Sequence, residues 1–61
     1  MTPTALRRLR RRLGMSQAKL AALIGVHANT VARWERGELG MRPTTARLIV
    51  LVTSQGKPKN G

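Results

Sequence analysis

Apolar residues recur along this chain at helical spacing, and no stretch reads as a strand. Leu6, Leu9 and Leu13 share a stripe roughly 60° wide at 100° per residue. Arg7, Arg8, Arg11 and Arg12 fall on the opposite side, and Arg10 borders the leucines. Thr2 and Pro3 open this helix as N-cap and first helical residue, and Gly14 ends it. Ser16 caps a second helix through Gln17, Leu20, Ala21 and Ile24, stopped by Gly25. A third is entered at His27, its expected cap, and runs from Ala28 to Arg36 before Gly37. Residues 38–42 read as a loop. Pro43 and two threonines introduce a fourth helix, about Thr44 to Ser54, which Gly56 closes. The pattern predicts a compact all-α, four-helix domain over residues 1–55 and a flexible basic tail over 56–61.

Two small residues make the joint between the second and third helices specific. Ala21 lets the helices cross closely, and Gly25, four positions on, permits a positive φ at the turn. Leu20, Ile24, Val31 and Trp34 supply a shared apolar seam, so Trp34 is expected in the core. This is how helix-turn-helix units are built.

Length and charge narrow the picture. At 61 residues there is room for one domain with a thin stability margin. No cysteine is present to staple it, and one histidine with two acids makes no credible metal cage. Twelve Lys and Arg, nine of them Arg, face only Glu35 and Glu38, for a formal net charge of +10. Such a balance implies a polyanionic partner: DNA, RNA, an anionic membrane or an acidic protein. No apolar run reaches the roughly 18 residues of a membrane span, and no apolar signal core follows Arg7 to Arg12. A soluble cytoplasmic protein, nucleoid-associated when on DNA, without cofactor or small-molecule substrate, is the expectation.

The run from Leu13 to Gln17, Leu20-Ala21 with Ile24-Gly25-Val26, and Thr30 to Gly37 together resemble the XRE, or Cro/CI-type, helix-turn-helix proteins. Pro43 and the apolar helix after it extend the likeness over about residues 5–53. The resemblance implies a lambda-repressor-like fold, truncated here because a fifth helix has no counterpart. It also implies double-stranded DNA as partner. Lys19 stands where the family carries Glu, so no capping box forms from Ser16, and His27 replaces the usual Ser or Thr cap.

Read on its own wheel, the third helix sets Ala28, Asn29, Ala32, Arg33 and Arg36 on an arc of roughly 140°, opposite Val31 and Trp34. A face of small, polar and basic residues suits the major groove. Ala28, Asn29 and Arg33 are the candidates for base contact. For Arg33 the alternative is a phosphate, and for Asn29 a helix-capping role. Gln17 opens the second helix, where a side chain and free N–H groups can clamp a phosphate, and the resemblance assigns it that role. Ser16, His27, Thr30, Arg36 and Arg42 are the other phosphate candidates. Arg10 and Glu35 both sit at core edges, and the resemblance implies an interhelical salt bridge between them.

Leu48 to Val52 are five consecutive apolar residues and wrap more than a full turn. Ala46, Ile49, Val50 and Thr53 make one stripe; Leu48, Leu51 and Val52 make another. The second stripe, with Gln55, predicts a two-fold homodimer on a pseudo-palindromic operator. The leading reading is a sequence-specific transcriptional regulator, a repressor. The alternative is an antitoxin-like or accessory module that docks a protein through helix 44–54. Arg7 to Arg12 invite a third, RNA binding. An enzyme is not expected, because His27, Glu35 and Glu38 cannot assemble a catalytic group while the third helix keeps its packing role.

Overall fold

The computed structural model describes residues 1–54. Four helices follow one another: α1 (Pro3–Arg12), α2 (Gln17–Ile24), α3 (Ala28–Arg36) and α4 (Pro43–Ser54). The architecture is all-helical, as the periodicity predicts. Gln55, Gly56, the 55/56 domain boundary and the tail lie outside the described residues.

Local chemistry explains the starts. The Thr2 hydroxyl accepts from the Ala5 N–H at 3.1 Å, and Pro3 fills the first turn of α1, where no N–H is needed. The Ser16 hydroxyl accepts from the Lys19 N–H at 3.0 Å. One half of a capping box therefore survives at α2 without a glutamate to return it. His27 occupies the N-cap of α3, but its side chain bonds no N–H there. That differs from the capping expected of it, because an imidazole carries no oxygen one bond beyond Cβ.

The ends close by a shared device. Each of Gly14, Gly25 and Gly37 takes a positive φ, and the following N–H turns back to the helix. Val26 donates to the Ala21 carbonyl at 2.9 Å and Met15 to that of Arg10 at 3.0 Å. Met15 and Val26 also pack on the core, as residues in this position commonly do. Glu38 makes the same backbone bond to Arg33, at 2.9 Å, but is polar and exposed.

Leu6, Leu20, Ala21, Val31, Trp34 and Ile49 form the core, one or two from each helix. Leu9, Met15, Ile24, Val26 and Met41 pack around it. α3 is held by both α1 and α2, and α4 packs against α2. In α4 the stripes divide differently from the sequence expectation. Val50 is exposed, whereas Val52 is half-buried with Thr45, Ala46 and Thr53 around Ile49. The reason is angular: Val52 lies about 60° from Ile49 and Val50 about 100°. Leu48, Val50 and Leu51 are left on the outside.

A polar cluster fixes α3 against its neighbours. Arg10 donates from Nε to Glu35 Oε2 at 2.6 Å and from Nη2 to Oε1 at 3.0 Å, a bidentate pair. Its Nη1 donates to the Met15 carbonyl at 2.9 Å, in the turn before α2. Gln17 donates from Nε2 to Glu35 Oε1 at 3.2 Å. Arg7 stands 3.7 Å from the same carboxylate and donates to the Glu35 carbonyl at 3.4 Å. Arg7 is exposed, as the wheel predicts, but it lies about 60° beyond Arg10 and its guanidinium reaches around the helix edge. The Glu35 side chain is 2% exposed and that of Arg10 15%.

The Arg10 hydrogen bonds, assisted by Gln17 and Arg7, hold the Glu35 carboxyl below its ordinary pKa despite burial. A depressed carboxylate stabilises the fold above its unfolded pKa, and that stability is lost as pH falls through the folded value. The melting temperature is therefore expected to stay level down to about pH 5 and to fall below about pH 4. Glu35→Gln should remove most of that acid limb and cost about 3 kcal/mol at neutral pH, the low end for a broken buried pair, because Arg10 keeps some water. An unchanged melting temperature would show that the pair contributes nothing. At the α2–α3 crossing, Gly25→Ala meets no atom within 4 Å, so only its backbone resists, at about 1 kcal/mol. Ala21→Leu, at a 2% exposed site, should cost more, up to about 3 kcal/mol. Thermal melts of the two variants rank the effects.

Candidate functional site

With Val31, Trp34 and Glu35 buried, the rotation of α3 about its own axis is settled. Ala28, Asn29, Arg33 and Arg36 are exposed, and Ala32 is half-buried at the edge of the same face. The face is small at its start and basic at its end. Asn29 and Arg33 stand one turn apart, so their side chains project side by side. Neither guanidinium nor amide on this face is committed to the core.

The N-terminal turns of α2 and α3 flank that face. At α2 the N–H groups of Gln17 and Ala18 have no acceptor among the described residues, while Ser16 satisfies Lys19. The Ser16 hydroxyl still has its proton to donate. The Gln17 side chain is half-buried and shares its amide with Glu35. It therefore lies between the polar cluster and the surface, a link the sequence reading missed. At α3 the uncapped first turn behind exposed His27 leaves N–H groups open, and Thr30 is half-buried beside them. Unpaired N–H groups at a helix start attract anions.

Beyond the C-terminus of α3, Glu38 turns back on the arginines. Arg36 donates to it from Nε at 2.9 Å and from Nη2 at 3.2 Å. Arg33 Nε stands 3.9 Å from Glu38 Oε1. The Arg36 bonds lower the Glu38 pKa and raise that of Arg36, with Arg33 adding to the effect on Glu38. These groups are all about half exposed, so water weakens the pairing. Sequence reasoning did not connect Glu38 to this face; its place two residues after Arg36 was the available signal. Arg42 is exposed, and its carbonyl accepts from the Ala46 N–H at 3.0 Å at the start of α4. No carboxylate pairs with Arg42 among the described residues.

Ser16, Gln17, His27, Ala28, Asn29, Thr30 and Arg33 thus belong to the two adjoining helices of one turn. Arg36 and Arg42 bracket the loop that follows. Leu48 and Leu51 lie on the outer side of α4, and Val52 faces partly inward. Among the described residues no group of acids and histidines could hold a metal ion. No helix among them is long and apolar enough to cross a membrane. An open depression of about 220 Å³ lies between the start of α1 and the loop after α3. Leu6, Trp34, Leu39 and Met41 line it without a convergent set of polar groups.

A family model described as helix-turn-helix matches residues 6–53, spanning nearly all of the four helices. No curated protein matches the chain. A buried α3 flank, a close α2–α3 crossing at Ala21 and a match over most of the length lead to one assignment: the chain belongs to the XRE, or Cro/CI-type, family of DNA-binding helix-turn-helix regulators.

Proposed function

We propose that this chain is a sequence-specific transcriptional repressor that reads the major groove with α3 and works as a homodimer on a nearly two-fold site. The observation behind this reading is that α3 is locked on one side by Val31, Trp34 and Glu35 while Ala28, Asn29 and Arg33 remain exposed. Ala28 meets a thymine methyl, Asn29 pairs with adenine and Arg33 with guanine O6 and N7. Ser16, Gln17, His27, Thr30, Arg36 and Arg42 hold phosphates and set the register without reading sequence. Leu48 and Leu51, exposed on α4 beside half-buried Val52, form the dimer seam. Two copies of α3 then lie about 34 Å apart in successive major grooves. Such a protein works in the cytoplasm, where its DNA is.

A second reading rests on the same exposed residues of α4. Leu48, Val50 and Leu51 equally suit docking of another protein, with α3 serving autoregulation.

Selection of bound sites from a random duplex pool at near-physiological salt separates the two readings. An enriched, two-fold symmetric motif is expected; an asymmetric half-site would remove the homodimer, and no enrichment would remove sequence reading. On the selected site, Arg33→Ala should lose about 1–3 kcal/mol of discrimination at one base pair, with Asn29→Ala acting at a neighbouring pair.

Glu38 adds a second expectation. Its carboxylate damps the pull of Arg33 and Arg36 on any phosphate, yet leaves the Arg33 hydrogen-bond geometry available to a guanine. Glu38→Gln should therefore tighten binding to random duplex more than to the selected site, narrowing the ratio between them. Equal tightening on both, in titrations at matched salt, would reduce Glu38 to a general screening charge.

A further inference from the structure

The charge on α1 is unaccounted for by the reading of α3. Arg8, Arg11 and Arg12 are exposed on the side of α1 turned away from Leu6. None has a carboxylate partner among the described residues. Both acids of the chain are already engaged, Glu35 with Arg10 and Arg7, Glu38 with Arg36 and Arg33. The three arginines stand at i, i+3 and i+4, neighbours on one helix face, where like charges oppose the helix. The α1 dipole favours cations in its last turn, which covers Arg11 and Arg12. That effect has faded by Arg8. A domain with a thin stability margin thus keeps a self-repelling triad on the helix that anchors α3.

We infer that this triad is a second DNA-binding surface, occupied by the phosphate backbone of a separate duplex segment. The spacing lets three guanidinium groups converge on neighbouring phosphates, each able to donate two parallel hydrogen bonds. Nothing long and polar on the face reads bases: Arg8, Arg11 and Arg12 have no Asn or Gln beside them, and exposed Ala5 is the one small apolar neighbour. Stacking on single-stranded RNA calls for exposed aromatics, and α1 carries none: Trp34 is buried and exposed His27 stands at the start of α3. The α3 face and the α1 face each look outward from the core on a different helix. One molecule can therefore hold its site through α3 and a second duplex, of any sequence, through α1. This bridging rests on α3 binding the first duplex; the affinity of the α1 face does not.

The test loads the full chain onto a bead-bound duplex carrying the selected site at low salt and offers a labelled duplex of unrelated sequence. The wild type should capture the second duplex, with capture falling roughly 40-fold between about 50 and 200 mM salt for three phosphates. The Arg8→Gln, Arg11→Gln, Arg12→Gln triple variant should lose at least about tenfold of that capture. It should still occupy the bead duplex and melt slightly higher at low salt, since the repulsion is gone. A Lys19→Gln, Arg47→Gln variant, losing charges exposed on α2 and α4, should keep its capture. Equal loss in that control, retained capture in the triple variant, or lost occupancy of the bead duplex by the triple variant would overturn the inference. So would single-stranded RNA displacing the captured duplex more readily than duplex competitor. If the wild type does not occupy the selected site, the reading of α3 fails by itself. The α1 face is then scored on random duplex alone: a log–log salt slope shallower by about 2.7 in the triple variant supports it, and an unchanged slope overturns it.

Discussion

A carboxylate with almost no water around it must find its partners inside the protein, and in this domain Glu35 finds them on two other helices. Arg10 reaches it from α1, Gln17 from the first turn of α2, and Arg7 from the flank of α1. Arg10 also grips the Met15 carbonyl in the turn between those helices. Burial of Val31 and Trp34 turns one side of α3 inward, and the Glu35 pair adds a directional restraint to that packing. Buried pairs of this kind add little net stability over an apolar substitute, so their consequence is geometry. The outward direction of Ala28, Asn29 and Arg33 follows from where Glu35 is tied.

Scarcity of acids shapes the rest of the electrostatics. With twelve basic side chains against two acids, each carboxylate has a large local effect. Glu35 is spent on architecture, and Glu38 tempers the end of the exposed α3 face through Arg36 and Arg33. Every other basic side chain among the described residues is left to the solvent or to an anion. The charge is therefore not one undivided field. It separates into a structural share at Arg7 and Arg10, a tempered share on α3, and an untempered share on the outer side of α1.

Much of this was legible from residue order, and the failures are instructive. Helix boundaries were readable because Thr2, Ser16, Gly14, Gly25 and Gly37 act through their own local backbone, within one turn. Core membership of Leu6, Leu20, Val31 and Trp34 followed from period alone. Arg7 is exposed as its wheel position predicts, but a wheel treats a side chain as a direction and does not display the reach of a long arginine to Glu35. Val50 and Val52 were exchanged because an unbroken apolar run has no internal polarity to orient it; the position of Ile49 against α2 decides which neighbours face inward. His27 failed as a side-chain cap because the position was right and the chemistry was not. The double use of Gln17, and the reach of Glu38 back over α3, depend on how a turn brings separate residues together, which spacing along one helix cannot display.

The outer side of α4 carries the last constraint. A helix packed on α2 by Ile49 has no further layer to receive Leu48, Val50 and Leu51, because α3 is already engaged with both α1 and α2. Leu51 lies about 160° from Ile49 around the helix, so turning it inward would require α4 to roll by nearly half a turn, which would expose Ile49. Burial by a second molecule removes that conflict without disturbing the core. A two-fold partner also gives the short α3 face what its own length denies it. On the proposed reading Asn29 and Arg33, which span one turn, would address only a few base pairs, and a second copy at fixed spacing would double the read sequence. The hydrophobic excess on α4 and the brevity of α3 are thus complementary features of one small domain.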